Sequence, residues 1–244
     1  MKKIGILLFI CLSLNIQAQT IKIAAAGNLR NVLDDIKTAY IMKNPKVTID
    51  ISLGASGALT QQIINGADFD VFMAADKVFP DKLKAQGFVS GDVKTYAFGK
   101  LVIWSNTVNV SKGIDIITDN SVKRLAIAKP EVAPYGARAV ECLKYYNLFD
   151  KVKDKIVYAD NIAQAAQFAQ TGNAEIGFLA MALVMAPEMK GAYYILDTKS
   201  YKPVEQAMVL LKDEQKSPEA IKFMKFILSS DCKPIFEKYG FIVP

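Results

Sequence analysis

The sequence predicts an α/β fold of mostly parallel sheet with helices on both faces. Two observations carry this reading. From residue 21 onward, short β-branched or apolar runs alternate with helical periods of roughly ten residues. These βα units also fall into two blocks, before and after about residue 98. A chain of 244 residues can form one large domain or two small ones.

Residues 21–26, Ile-Lys-Ile-Ala-Ala-Ala, read as a strand whose side chains shrink towards its end. Residues 29–42 place Leu29, Val32, Leu33, Ile36, Ala39 and Tyr40 on one helical face, and Asn44-Pro45 stops that helix. Residues 47–53 alternate as a strand does. Residues 58–64 are a short helix ended by Asn65-Gly66, and residues 70–74 are a buried strand. The second block offers strands at 100–104, 125–128, 156–158 and 175–179, with helices at 137–146 and 162–170. The last block offers a strand at 207–211, a helix at 218–228 with Pro218 in its first turn, and a helix at 232–239. No repeat or low-complexity segment interrupts this order.

Composition removes several classes of function. Lys2 and Lys3 precede an apolar stretch from Ile4 to Leu14, and Ala18 offers a small residue for cleavage. Residues 1–18 are therefore expected to be an export signal. Cys11 follows Ile10 rather than a small residue, so no lipid anchor is expected. No later segment approaches the ~20 consecutive apolar residues that span a bilayer. Setting aside Lys2 and Lys3 leaves 28 of the 30 basic side chains against 24 acidic ones, a net of +4. The charges are scattered, with no basic run and interleaved aromatics, so nucleic acid is not an expected partner. The excess can weakly steer an anion. Beyond residue 18 two cysteines remain, Cys142 and Cys232, read as buried free thiols on helices in different halves. There is no histidine, which removes the commonest general base and the commonest transition-metal ligand.

Four strand-to-helix turns share one peculiarity. Ala26-Gly27-Asn28, Gly54-Ala55-Ser56-Gly57, Ala133-Pro134-Tyr135-Gly136 and Asp160-Asn161-Ile162 place small, neutral or hydroxyl residues just before a helix. A helix N-terminus has unpaired N–H groups and a partial positive charge, which makes it a ready anion site. Each turn also has a plain reading, in which Asn28, Ser56, Asp160 or Asn161 simply caps a helix and 134–136 is an ordinary turn. Four such turns in one chain suggest a shared role.

The same residues resemble the periplasmic molybdate-binding proteins of ABC importers. The resemblance lies in 21–29 (Ile-Lys-Ile-Ala-Ala-Ala-Gly-Asn-Leu), 54–63 (Gly-Ala-Ser-Gly-Ala-Leu-Thr-Gln-Gln-Ile) and 65–76. It continues through 128–136 (Ala-Lys-Pro-Glu-Val-Ala-Pro-Tyr-Gly), 174–178 (Ala-Glu-Ile-Gly-Phe) and 236–241, in order over nearly the whole chain. It implies a type II periplasmic-binding fold of two α/β lobes, 19–98 plus 205–244 and 99–204, with the ligand held dry in the cleft between them. The ligand positions fall on Asn28, Ser56, Tyr135 and Ile162. Asn28 and Ser56 would donate through side chain and backbone, Tyr135 and Ile162 chiefly through backbone N–H. The resemblance further implies a monomer in the periplasm that captures molybdate or tungstate, uses no cofactor, catalyses no reaction and delivers its cargo to a membrane permease. Sulfate is the other tetrahedral oxyanion to weigh. One departure stands out: many members carry a ligand Tyr where this chain has Ala180, and here Tyr135 precedes Gly136 instead. We read this as an exchange, with the Tyr135 hydroxyl replacing the lost donor.

Elementary chemistry agrees with an oxyanion. Molybdate is a dianion at neutral pH and only accepts hydrogen bonds, so neutral donors suffice, each charge-assisted bond contributing ~1.5–3 kcal/mol. The four turns hold no Lys or Arg, and Arg138 is the nearest cation. Phosphate carries a proton and gains from an acceptor. Asp160 is the turns' single carboxylate and is expected to cap a helix, which disfavours phosphate. Ferric ion is the metal rival, through the pairs Tyr193-Tyr194 and Tyr145-Tyr146. On a strand, however, neighbours face opposite ways, so one of Tyr193 and Tyr194 is expected in the core, and Tyr145-Tyr146 ends a helix. An enzyme would use Ser56 or Cys142 without any histidine base, and Asp34-Asp35 reads as a solvated helix face.

Overall fold

The structure is a computed structural model that describes residues 19–211 and 218–244. The export signal expected at 1–18 lies outside the described residues. The chain builds β1 (Gln19–Ala26), α1 (Arg30–Lys43), β2 (Val47–Gly54), α2 (Ser56–Ile64), β3 (Val71–Ala74), α3 (Val78–Ala85) and β4 (Val89–Gly99). It crosses through Lys100 into β5 (Leu101–Ser105), β6 (Leu125–Ala128), α4 (Pro134–Tyr145), α5 (Phe149–Val152), β7 (Ile156–Ala159), α6 (Ile162–Gln170), β8 (Ile176–Ala180), α7 (Met181–Val184) and β9 (Ala192–Ile195). A second crossing leads back to β10 (Val204–Leu211), α8 (Pro218–Ile227) and α9 (Lys233–Lys238).

Two five-stranded sheets result, ordered β2-β1-β3-β10-β4 and β7-β6-β8-β5-β9. Four strands of each sheet run one way, and one runs against them. β10 is antiparallel to β3 and β4, and β5 is antiparallel to β8 and β9. The parallel neighbours β1, β2 and β3, and likewise β6, β7 and β8, are linked by helical crossovers, as parallel pairing requires. The reversed strand in each sheet is the one by which the chain arrives from the other. The two crossings lie side by side, with Gly99 paired to Val204.

The cores follow from this layering. In β1, Ile21, Ile23 and Ala25 pack on one side with Leu33, Phe223 and Phe236, while Ala24 packs on the other with Leu59, Phe72 and Leu83. A strand covered on both faces needs a continuous apolar run, which is what residues 23–26 supply. The second sheet has its own core around Trp104, Ile127, Leu143 and Phe178.

Several boundaries differ from the sequence reading, and α3, β4, α5 and α7 were not expected from it. α2 starts at Ser56 and α4 at Pro134, two and three residues earlier than expected. Pro134 sits at the position where its missing N–H costs nothing and its fixed φ suits the helix. α3 and β4 escape the sequence pattern. β4 lies on a sheet edge, and its first half is exposed at Ser90, Gly91 and Asp92, so it shows no clean alternation. The expectation that one of Tyr193 and Tyr194 is core is wrong: both are 39 % exposed. β9 is a short edge strand, exposed along its whole length, so alternation sends neither ring inside.

Cys142 lies in the second-sheet core and Cys232, just before α9, in a first-sheet core; both are free and buried. Burial pushes the Cys142 thiol up to about 11 and the Cys232 thiol up to about 12. Thiolate is the reactive form. In the native protein at pH 8 both should therefore resist iodoacetamide, and both should label in guanidinium without reductant. Mass spectrometry of the two samples checks this. A mass lower by about two hydrogens, with no label on either cysteine, would mean a disulfide and refute the separation of the two cores.

Candidate functional site

Each of the four turns ends a strand and begins a helix. The caps of the first three, Ala26, Ala55 and Ala133, have no polar side chain, and no side-chain bond closes those helix starts. First-turn N–H groups have no partner within their own helix. Asn28 and Ser56 therefore do not cap. Ser56 Oγ accepts from Ala75 N at 3.1 Å, which commits its oxygen to the protein and leaves its hydroxyl proton to donate elsewhere. Asn161 does cap, accepting from Gln164 N at 3.0 Å. Asp160, expected as a cap, instead pairs with Lys129 at 2.6 Å on the surface. Asn161, one residue later, already holds the helix end.

The four turns converge on one cavity lined by Ala26, Gly27, Asn28, Gly54, Ala55, Ser56, Ala75, Ala133, Pro134, Tyr135 and Ile162. All four residues singled out from sequence, Asn28, Ser56, Tyr135 and Ile162, are buried and line it. Ala180 does not. The cavity is small, ≈ 10 Å³, about the room that one water-sized group needs. Among the described residues, no Lys, Arg, Asp or Glu lines it. Asn28 and Ser56 come from turns of the first sheet, Tyr135 and Ile162 from turns of the second. The two halves meet directly at its rim, where Gly57 N donates to Val132 O at 2.9 Å. Gly57 leaves little space there, since an added Cβ would meet the Val132 backbone at 3.0 Å.

Arg138, expected as the nearest cation, does not line the cavity, and neither does Arg30, equally close in sequence. Arg138 is 9 % exposed, and its Nη1 donates to Glu141 at 2.7 Å, while Glu141 also accepts from Lys202 N on the return crossing at 2.9 Å. A wider groove of ≈ 510 Å³ lies between α1 and α6, lined by Arg30, Asn31, Asn161, Gln164 and Glu188 among others. Its charges are of both signs.

Behind the cavity lies a polar cluster that sequence reasoning missed. Gln206 is fully buried on β10; its Oε1 accepts from Asn28 Nδ2 at 2.9 Å and from Tyr96 Oη at 3.1 Å, and its Nε2 donates to Tyr135 Oη at 3.1 Å. The Tyr135 hydroxyl thus turns to Gln206 and lies over Gly99, where a side chain would collide with it. That placement does not support the hydroxyl as a replacement for a ligand at Ala180. Tyr135 nevertheless lines the cavity. The signal for Gln206 was available, because a polar residue directly before the apolar run 207–211 is itself informative.

The chain matches the family described as bacterial extracellular solute-binding protein over residues 21–242. It is 35 % identical over 229 residues to the molybdate-binding protein ModA of Azotobacter vinelandii, covering 92 % of this chain and 90 % of that one. It is 36 % identical over 222 residues to ModA of Rhodobacter capsulatus, covering 90 % and 86 %. The solved structure of the Azotobacter vinelandii periplasmic molybdate-binding protein superimposes with a TM-score of 0.85 at 31 % identity, over 92 % of this chain and 99 % of that one.

The start of α4 is the tightest part of the site. A Cβ on Gly136 would fall on the Ala128 carbonyl oxygen at the end of β6. Backbone has no rotamer with which to yield. Gly136→Ala should cost at least the upper end of the ~1–3 kcal/mol typical of overpacking. Urea unfolding measures this. A loss under about 0.5 kcal/mol would show that this turn is not held as described.

Proposed function

Because this chain belongs to the family of bacterial extracellular solute-binding proteins, we propose that its cavity captures a tetrahedral oxyanion, molybdate or tungstate, for an ABC importer. The observation that carries this reading is the convergence of four helix-start turns on one small cavity without a charged side chain. The ligand contacts are Asn28, Ser56, Tyr135 and Ile162. Ser56 donates its hydroxyl proton and backbone N–H, and Tyr135 and Ile162 donate backbone N–H from the other half. A fully ionised dianion accepts from every side. Phosphate finds no carboxylate on the lining to take its proton. The same argument explains why no cation is required. Dipoles fixed by the fold hold the charge, and charge-assisted bonds to neutral donors contribute ~1.5–3 kcal/mol each.

Residues 19–98 with 205–244 and residues 99–204 act as the two lobes, hinged at the paired crossings. An anion contacted from both lobes binds the closed form better than the open one and draws the lobes together. The protein works as a monomer in the periplasm, without a cofactor and without catalysis. Its protein partner is the membrane permease of the importer. The Azotobacter and Rhodobacter relatives are named for molybdate, which supports molybdate over sulfate or iron as the ligand. Among the described residues no cluster of three His, Cys, Asp or Glu side chains could hold a metal ion.

A thermal-shift panel of the purified protein against molybdate, tungstate, sulfate and phosphate tests the ligand class. Stabilisation follows RT ln(1 + [L]/Kd), so melting should rise by several degrees with molybdate or tungstate and hardly at all with phosphate. A larger shift with phosphate would refute the donor-only reading. Ser56→Ala should weaken molybdate binding by about 1.5–3 kcal/mol, one to two decades in Kd, measured by calorimetry. Unchanged affinity in a stably folded variant would move the anion away from these turns.

A further inference from the structure

The cluster behind the cavity has two possible hydrogen-bond polarities. A side-chain amide turned by 180° keeps its shape and exchanges donor for acceptor. In the orientation seen, Asn28 Nδ2 and Tyr96 Oη both point at Gln206 Oε1, and Gln206 Nε2 points at Tyr135 Oη. Proton counting exposes three mismatches. Tyr96 has one hydroxyl proton but stands 3.0 Å from Ala74 O and 3.1 Å from Gln206 Oε1, both acceptors. Gln206 Nε2 has two protons and one partner, and the Tyr135 proton has no acceptor among the described residues. Separately, Asn28 Oδ1, on a side chain that is 1 % exposed and lines the cavity, has no hydrogen-bond partner among the described residues.

Turning both amides removes all three mismatches and reverses the polarity of the unpaired Asn28 atom. The Ala74 carbonyl can only accept, so it takes the Tyr96 proton. The Tyr96 oxygen then accepts one proton of the Gln206 NH2, and Asn28 Oδ1 accepts the other. Gln206 Oε1 accepts the Tyr135 proton. The group left over is Asn28 Nδ2, a donor in place of an orphaned acceptor. An unpaired acceptor beside an anion is repulsive, whereas a donor there completes the site.

We propose that Gln206 is a positioning residue of the anion site, and that binding requires the turned form, in which Gln206 holds Asn28 by its oxygen so that Nδ2 donates into the cavity. Ala74 O sets the direction of the whole chain of bonds. The fold is arranged for this. β4 and β10 lose register between Gln206 and Ala207, which pair with Ala97 and Thr95, so Tyr96 is the extra residue of a bulge. Bulges re-aim side chains, and this one brings the Tyr96 hydroxyl to Gln206. Burial raises the Tyr96 and Tyr135 hydroxyls above their ordinary range, which keeps both protons in place. Because Tyr135 comes from the other half, the network also reports whether the halves are closed.

This inference rests on the oxyanion reading above, and the test separates the two. The purified ¹⁵N-labelled protein is first titrated with molybdate by calorimetry. In the saturated sample, the Gln206 side-chain NH2 should show NOEs to the Tyr96 ring protons. NOEs to the Tyr135 ring instead, with molybdate bound, would overturn this inference alone. No molybdate binding by the unaltered protein would overturn the oxyanion reading and this inference with it. These measurements need no variant. Gln206→Leu should then weaken molybdate binding at least tenfold, yet less than threefold in an Asn28→Ala background, because Gln206 acts through Asn28. Equal losses in both backgrounds would reduce Gln206 to a packing residue and overturn the proposal.

Discussion

An anion cannot be buried in a protein unless donors replace its water. Burying an uncompensated charge is prohibitive, and burying even an unpaired polar group costs a few kcal/mol. The architecture around the cavity follows from that constraint. Helix starts carry donors that need no side chain, so the caps at Ala26, Ala55 and Ala133 lack the polar atoms that normally satisfy them. Small residues at the strand ends let those backbones come close. Ala75 shows the same economy, since its N–H fixes the oxygen of Ser56 and thereby decides where the Ser56 proton can go.

The second feature is that no half of the molecule owns the site. The first sheet supplies Asn28 and Ser56, the second Tyr135 and Ile162, and the chain passes between them twice at adjacent positions. The neighbouring crossings are the place where the proposed two lobes would pivot. The cluster of Asn28, Gln206, Tyr96 and Tyr135 sits at this junction, with Gly99 leaving room for the Tyr135 hydroxyl. Buried polar networks are costly when partly satisfied and specific when fully satisfied. Here the missing partner lies on the side of the cavity. In the turned form proposed above, the polar cluster and the cavity lining are one device, in which Asn28 Nδ2 would meet the ligand's oxygen.

The sequence by itself determined the alternation of strands and helices, the two blocks of βα units and the four turns, because periodicity and small-residue turns are local properties. It also excluded histidine chemistry. β4 and α3 were not legible, because an edge strand exposed along its first half shows no alternation and α3 is short. The wrong placement of Tyr193 and Tyr194 has the same origin: alternation says which side chains oppose each other, not whether anything covers either face. Tertiary structure alone decided that the four turns share one cavity, that Asp160 faces a surface lysine while Asn161 caps, and that the Tyr135 hydroxyl points to Gln206. Those outcomes depend on contacts between residues such as Asn28 and Gln206, 178 positions apart. No local pattern encodes such a distance. It is fixed only when β10 returns from the second sheet and takes its place between β3 and β4.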